Sequence, residues 1–262
     1  MHIVPDRIDP ARAQALSVTL GRDGAVRAGD PLPPFYHQVY FWEPVAADGL
    51  GRDGHPRVGG LIPDMGLPRR MWAGGRLVFE GPLRAGLLAE KRSVVETTSH
   101  KTGRSGPLGF VTLRHEIWQE GALCLTEWQD LVYRRDPDPR AAPVAPLQAR
   151  WDETSALAVR FSSTMLFRYS ALTFNGHRIH YDRDYAGSVE GYGGLVVHGP
   201  LLAQLLMLMA WDEMGPLASF SFRATSALLD HEEAALCRSG RALWVRGPDG
   251  RQNMLAEAVA SE

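Results

Sequence analysis

Three side chains within six consecutive residues could hold a water molecule or move a proton: Asn175, His177 and His180. Histidine has an ordinary pKa near neutral pH, so it can accept a proton and return it. Asparagine does not titrate, but its amide can hold water by hydrogen bonds. His198 and Gly199 follow, at the start of an almost wholly apolar run. Polar groups beside an apolar wall indicate a proton-transfer site that is sheltered from solvent.

A competing interpretation is a polar turn in front of a core helix. His177 follows the turn-forming pair Asn175–Gly176, so a role in that turn is an equal alternative for it. A metal site on His177 and His180 would need a third ligand, and the sequence offers no obvious one. No metal is therefore predicted.

The elements around these residues occur in two rounds of helix and strand. Helices are predicted over residues 8–21, capped by Asp9, and over residues 33–42, opened by two prolines. A strand is the competing interpretation of the second segment. Residues 46–70 are rich in glycine and proline, and loops of this length are usually functional or disordered. The remaining elements are four strands over residues 75–135, a linker Asp136–Pro146, a strand over 156–174, a helix over 200–213 and strands to residue 261.

The composition narrows the class of protein. The chain has 262 residues, of which 45% are apolar, and a net charge of −2. These values predict a folded core and no basic surface for nucleic acid. Cys124 and Cys237 are too few for a disulfide framework. No apolar run reaches the ~20 residues of a membrane span, and no signal peptide is apparent, so we expect a cytoplasmic protein without a membrane partner.

The two rounds predict an α+β protein built from two units, residues 1–140 and residues 147–262. In each unit a helix opened by proline precedes several antiparallel strands. The helix over residues 200–213 is apolar on nearly every face, so it must be buried all round. We therefore expect a sheet in each unit to wrap a single helix.

The stretches "FNGHRIHYDRDYA" and "VVHGPLLAQLL" resemble the MaoC-like enoyl-thioester hydratases. The motif of that family is Asp-x-Asn-Pro-aliphatic-His, followed by an aliphatic-His-Gly that opens a central helix. In the N-terminal half, "LPRRMWAGGRLVFEGPLRAG" and "HKTGRSGPLGFVTLRHEI" are similar to the branch that contains 3-methylfumaryl-CoA (mesaconyl-C4-CoA) hydratases and type 2 hydroxyacyl-thioester dehydratases. The resemblance implies a double hot dog fold, a coenzyme A thioester as substrate and no further cofactor. A homodimer is a further expectation.

The resemblance also implies roles for individual residues. His180 falls on the catalytic histidine of the motif and would take a proton from water. The N–H of Gly199, at the start of the helix, would bind the thioester oxygen while negative charge develops there. His198 would orient the start of the helix.

One position departs from the family motif, because Asn175 stands where the better-known relatives have aspartate. An amide cannot act as a general acid or base, so Asn175 would only hold water. Either His180 performs both proton transfers, or a carboxylate elsewhere takes part. Asp182, Asp184 and Glu190 are the nearest carboxylates in the sequence.

Substrate-binding groups are predicted among the basic residues. Arg69 and Arg70 could grip a distal carboxylate of the substrate, with Arg168 and Arg178 as alternatives. Lys101 and Arg104 could meet the phosphates of coenzyme A. Surface charge is an equal alternative for both of these predicted sites.

Four functions stay open at this stage. The leading hypothesis is a hydratase of a branched or dicarboxylic enoyl-CoA. The second is a 3-hydroxyacyl-thioester dehydratase of fatty-acid synthesis. The others are a non-catalytic acyl-CoA-binding protein, supported only by the missing aspartate, and a thioesterase, which would need an activating carboxylate.

Overall fold

The computed structural model describes residues 1–103, 106–136 and 145–261. Within these ranges the chain forms ten strands and four α-helices. The strands are β1 His2–Arg7, β2 Arg69–Phe79, β3 Leu88–Gly103, β4 Gly106–Gln119, β5 Ala122–Arg134, β6 Ser155–Val159, β7 Leu217–Ala224, β8 Ala234–Ser239, β9 Ala242–Arg246 and β10 Gln252–Ala260. The helices are α1 Pro10–Thr19, α2 Ser163–Leu172, α3 Arg183–Ser188 and α4 Gly199–Met214.

All ten strands belong to one antiparallel sheet in the order β1-β3-β4-β5-β2-β7-β10-β9-β8-β6. The first five strands precede residue 135 and the last five follow residue 154, so the two halves of the chain meet where β2 pairs with β7. The division into units 1–140 and 147–262 stays a prediction. Most of the predicted linker lies outside the described residues.

Helix α4 lies in the core of the C-terminal half. It contacts β2, β7, β8, β9 and β10, and its residues Leu201, Leu206 and Met207 have no exposed surface. Burial on every side explains why the helix is apolar on nearly every face. None of the described helices has the length and hydropathy that crossing a membrane would require.

The predicted helix over residues 33–42 is wrong, because the structure has only a 3₁₀ turn over Tyr36–Val39. Phe35 and Phe41 adopt left-handed backbone angles, with φ of 69° and 60°, which a right-handed helix cannot continue through. Their aromatic rings are nevertheless buried. Apolar content here reflects packing into the core rather than helical periodicity.

The predicted strand over residues 156–174 is correct only for its first residues, which form β6. Ser162 then caps α2 by accepting a hydrogen bond from the N–H of Met165 at 3.1 Å. Helix α2 packs on α1, whose predicted cap Asp9 is confirmed. Asn175 follows shortly after the end of α2.

Candidate active site

Asn175 stands in a tight turn directly after α2. Its N–H donates to the carbonyl of Ser170 at 2.8 Å, and its side-chain Oδ1 accepts the N–H of His177 at 3.0 Å. The second bond is an Asx turn, which holds the amide in one orientation. With one lone pair of Oδ1 engaged, the amide has its NH₂ group as a donor for a neighbouring molecule.

His180 ends the 3₁₀ turn Arg178–His180 and is buried. Its Nδ1 donates to the carbonyl of Val196 at 2.7 Å, so the proton of the neutral ring is on Nδ1 and Nε2 is free to accept one. Burial lowers the pKa of His180 to about 4; the hydrogen bond to the Val196 carbonyl opposes this shift, and the neighbouring imidazole of His55 adds to it. His180 is therefore neutral at pH 7, as a general base must be.

His198 is the residue before α4 and has no exposed surface. Its ring stacks on that of His180, and its Nε2 shares a hydrogen bond of 2.8 Å with the hydroxyl of Ser170. Burial, with smaller effects from His180 and His177, holds the pKa of His198 well below its ordinary value. A neutral, packed ring agrees with the predicted role in orienting the start of α4.

Gly199 is the first residue of α4. Its N–H has no acceptor among the described residues, as expected for the first turn of a helix, where the helix dipole also favours negative charge. A Cβ atom built on Gly199 would meet only the carbonyl of Trp72, at 3.7 Å, which is an ordinary contact. Packing within the chain therefore leaves room for a side chain here, so the absence of one leaves space that a ligand could use.

A cavity of about 450 Å³ brings these groups together. It is lined by His180, Gly199 and Asn175 from the C-terminal half and by residues of β2, β5 and the 46–67 segment from the N-terminal half. Apolar side chains make up much of the wall, among them Trp72, Leu131 and Val197. The cavity places these polar groups beside an apolar wall, and their catalytic roles stay a prediction.

The loop over residues 51–57, from the long glycine- and proline-rich segment, packs on the turn at Asn175. The carbonyl of Asp53 accepts the N–H of Arg178 at 2.9 Å. A Cβ atom on Gly54 would lie 2.1 Å from the carbonyl oxygen of Gly176, and one on Gly176 would lie 2.5 Å from that of Gly54. Both positions therefore need glycine, because the two backbones touch.

This loop contributes two residues that the sequence did not single out, Asp53 and His55. The Nδ1 of His55 donates to Oδ2 of Asp53 at 3.0 Å, and His55 lines the cavity. Burial lowers the pKa of His55, although Asp53 opposes this. Burial alone would raise the pKa of Asp53, but its bonds to His55 hold that pKa well below the ordinary value. The pair is an ionised carboxylate bonded to a neutral imidazole.

His177 stands between His55 and His180, with ring centroids 4.5 Å from the first and 5.4 Å from the second. Burial and the two neighbouring histidines lower its pKa to about 2. The possible ligand atoms of Asp53, His55 and His177 all lie within 4.8 Å of one another, which is compact enough for a metal ion. The Asp53–His55 hydrogen bond already joins two of these three residues, and the same set can equally serve proton transfer.

None of the carboxylates considered from the sequence lines the cavity. Asp182 caps α3 and accepts two bonds from the guanidinium of Arg178. Asp184 lies in the first turn of α3. Glu190 is buried in an ion pair with Arg69. A carboxylate near the site comes instead from Asp53.

The arginines predicted to bind a substrate carboxylate are separated by the sheet. Arg69 is buried against Glu190, so it is not free to bind substrate, and it does not line the cavity. Arg70 does line the cavity and has no carboxylate partner among the described residues. Arg134, at the end of β5, lines it too, and its Nε is buried without a hydrogen-bond partner in the described part of the chain. The sequence analysis missed Arg134.

The other basic residues lie elsewhere. Lys101 is exposed on β3, with its Nζ 5.4 Å from the ring centre of Phe110, and it does not line the cavity. Arg104 lies outside the described residues. Of the alternatives, Arg168 is exposed on α2 and Arg178 is paired with Asp182.

A second cavity, of about 470 Å³, adjoins the first. Asn175 and His55 line both cavities. Trp42 and Phe174, which stack with ring centres 5.4 Å apart, line only the second. A molecule longer than one cavity could therefore extend past Asn175 and His55 into the other.

Sequence comparison relates the chain to thioester hydratases and dehydratases. The model of the family Htd2, hydroxyacyl-thioester dehydratase type 2, matches residues 35–230. The mesaconyl-C(4)-CoA hydratase of Chloroflexus aurantiacus is 44% identical over 253 residues, which cover 94% of this chain and 90% of that protein. The mitochondrial hydroxyacyl-thioester dehydratase type 2 of Schizosaccharomyces pombe is 28% identical over 245 residues, covering 82% and 80%.

Solved structures agree on the fold. HtdX from Mycobacterium tuberculosis superposes with a TM-score of 0.69 at 17% identity, over 98% of this chain and 100% of that one. A MaoC-like dehydratase from Phytophthora capsici gives 0.71 at 14%, over 100% and 95%. A second M. tuberculosis protein, described as having a double hotdog fold, gives 0.57 at 14%, over 98% and 94%. The fold of this chain is the predicted α+β double hot dog.

Proposed function

Because the chain belongs to the hydroxyacyl-thioester dehydratase type 2 family, we propose that it adds water reversibly to an enoyl-CoA whose acyl group carries a free carboxylate. The substrate proposed is 3-methylfumaryl-CoA (mesaconyl-C4-CoA), the thioester named in the 44% identical relative. The chain is a hydro-lyase, and coenzyme A enters as part of the substrate.

His180 is the proposed base in this reaction. Its neutral Nε2 takes a proton from a water molecule held by the NH₂ of Asn175, and the oxygen of that water bonds to the β-carbon. The electrons of the double bond move to the thioester oxygen, which becomes an enolate. The proton then passes from His180 to the α-carbon, so that water is added and the imidazole is regenerated.

Gly199 is the proposed donor to the enolate oxygen. Its unpaired N–H stands at the N-terminus of a 16-residue helix, where a negative charge is favoured. The donor is fixed before the reaction begins, so no reorganisation is needed when the charge develops. The apolar wall keeps bulk water from competing for that bond.

The observation that carries the choice of a dicarboxylic substrate is the placement of Arg70 and Arg134 in the cavity of His180. Neither is in an ion pair with a described residue, and Nε of Arg134 is buried without a partner. Both arginines are half-buried, and a bound carboxylate would supply charge-assisted hydrogen bonds to their guanidinium groups. In 3-methylfumaryl-CoA the carboxylate is on the β-carbon, next to the atom that water attacks.

A spectrophotometric comparison tests the proposal. Loss of the enoyl-thioester absorbance is followed with 3-methylfumaryl-CoA, itaconyl-CoA and crotonyl-CoA, with a His180→Ala protein as the control. The expected result is a higher kcat/KM for 3-methylfumaryl-CoA than for crotonyl-CoA. A preference for crotonyl-CoA would favour the dehydratase of fatty-acid synthesis. Binding of acyl-CoA without turnover of any of the three would favour the non-catalytic alternative.

A further inference from the structure

The mechanism proposed above uses one acceptor for the protons of the attacking water, Nε2 of His180. Water that is held for attack has two hydrogens and needs an acceptor for each. In relatives with aspartate at this position a carboxylate can be the second acceptor. At Asn175 the Oδ1 already accepts the N–H of His177, so the amide offers one remaining lone pair where an aspartate would offer a second, unengaged oxygen.

The loop over residues 51–57 offers the missing acceptor. Nδ1 of His55 donates to Asp53, so the neutral ring has its proton on Nδ1 and a free lone pair on Nε2. That nitrogen has no partner among the hydrogen bonds of the described residues. The ring is a half-buried part of the wall, with about a fifth of its side chain exposed.

The position of His55 is built into the fold rather than left to a mobile loop. The backbone contact of Gly54 with Gly176 and the bond from Arg178 to the Asp53 carbonyl attach the loop to the turn that contains Asn175. His55 and Asn175 both line the wall that the two cavities share. His55 is thus held beside the residue that replaces the aspartate.

We propose that His55 is the second acceptor for the attacking water and that Asp53 is the positioning residue that fixes its tautomer. The inference deepens the proposed hydratase function and depends on it. Together, Asp53 and His55 replace the carboxylate that is absent at position 175.

The step is balanced as follows. Before attack, one hydrogen of the water bonds to Nε2 of His180 and the other to Nε2 of His55, while the NH₂ of Asn175 donates to the water oxygen. The O–H bond directed at His180 breaks as the C–O bond to the β-carbon forms. The hydrogen directed at His55 stays on the oxygen and becomes the hydrogen of the product hydroxyl. The proton on His180 is transferred to the α-carbon.

The first measurement compares His55→Ala and Asp53→Asn with the wild type on whichever of the three thioesters the wild type converts fastest. Each is expected to lower kcat by at least about tenfold, because one hydrogen bond in the reacting complex is lost. The effect on KM should be smaller. His231→Gln is the matched control, because His231 is exposed and outside the cavity. Thermal unfolding establishes that each variant is folded.

The decisive measurement is a rescue. Asp at position 175 keeps one oxygen for the N–H of His177 and gains a second that can accept a hydrogen of water. Asn175→Asp should therefore restore most of the lost kcat in the His55→Ala background, within about threefold of the Asn175→Asp protein, because one acceptor of similar strength is regained. Asn-Gly pairs deamidate readily, so mass spectrometry of the peptide with residue 175 accompanies each preparation.

Two outcomes would overturn the inference while leaving the hydratase function intact. The first is a folded His55→Ala protein with wild-type kcat, or one whose lost kcat Asn175→Asp does not restore. The second is a stoichiometric metal ion held by Asp53, His55 and His177, found by elemental analysis and required for turnover. Failure of the proposed function is recognised separately, since the wild type would then convert none of the thioesters in the same assay.

Discussion

The rings of His180 and His198 lie face to face, with centroids 3.6 Å apart and planes inclined by 20°. The ring of His180 is the proposed base. His198 precedes α4, whose first N–H is proposed to bind the thioester oxygen. The stack thus joins the proposed base to the start of the helix that is proposed to stabilise the developing charge. Their separation is fixed by the packing of two buried rings, which is the preorganisation that such a reaction needs.

His180→Ala should lower kcat by at least ~10², the low end of the effect of removing a general base. The fold should survive, because the Val196 carbonyl that loses its donor can be reached by water in the space that the ring vacates. Steady-state kinetics with 3-methylfumaryl-CoA measures the loss, and His231→Ala is the control. A folded His180→Ala protein with near-normal turnover would remove His180 from the mechanism.

The pH dependence of kcat/KM should have an unusually low acid limb. Only neutral His180 can accept a proton, and its pKa is about 4 rather than 6.5, so activity should persist as pH falls below 6.5 and decline towards pH 4. Buried neutral histidines also cost stability in this range, because the unfolded chain binds protons near pH 6.5 and the folded chain does not. Initial rates after brief exposure to each pH separate the two effects. A limb near pH 6.5 in a folded protein would contradict the assignment.

Gly199→Ala should separate activity from stability. A methyl group at this position meets only the Trp72 carbonyl, at an ordinary distance, and alanine is favoured over glycine in helices. The melting temperature should therefore be unchanged or higher. The methyl would occupy space beside the proposed oxyanion donor, so kcat/KM should fall at least about tenfold, a part of the ~3 kcal/mol that one such donor contributes. Unchanged kcat/KM would exclude the Gly199 N–H as the donor.

The residues that sequence analysis assigned to the site are those held by local structure. Asn175 and His180 share one turn, and Gly199 opens a helix whose apolar character is evident from its residues alone. The prediction that these groups meet came from the resemblance of their residues and spacing to the MaoC-like motif. The same reasoning predicted the strands β2 to β5, whose alternation is clear.

The residues that were missed reach the site through contacts that are distant in the sequence. Asp53 and His55 lie in a loop without periodicity, and the loop docks about 120 positions further along the chain, at Gly176 and Arg178. The signal that was present is the string "GRDGHPR", a histidine two residues after an aspartate within glycines. Loops of that kind often carry function, but their docking site depends on the whole fold.

The environments of Arg69 and Arg70 could be predicted from the sequence only in part. Successive residues of a strand point to opposite faces, so the sequence predicts that the two differ in environment. Which one faces the cavity depends on the position of the sheet relative to α3 and the 46–67 segment. In the structure Arg69 forms an ion pair with Glu190, and Arg70 lines the cavity. Arg134 is paired with Arg69 across β5 and β2, and opposed residues share a face of the sheet, so strand register alone does not predict that Arg134 lines the cavity.

Arg70→Met should discriminate between dicarboxylic and simple enoyl thioesters. Methionine keeps an unbranched side chain of similar reach but removes the charge, so a bound carboxylate would lose a charge-assisted bond. Such a bond is worth ~1.5–3 kcal/mol, which corresponds to a KM for 3-methylfumaryl-CoA that is about 10- to 100-fold higher. The KM for crotonyl-CoA, whose acyl group has no carboxylate, should change little. Arg168→Met, on the exposed face of α2, should change neither KM.

Arg134→Met completes the test of the carboxylate site. Arg134 lines the same cavity, and its Nε is buried without a partner among the described residues, so its loss should also raise KM for 3-methylfumaryl-CoA and spare crotonyl-CoA. If both arginines hold one carboxylate, the double variant should lose less than the product of the two single effects, because neighbouring groups on one ligand are not additive. If the two increases in KM multiply fully in the double variant, the arginines act separately. If KM rises equally for both thioesters, the arginines support the cavity but do not bind the carboxylate.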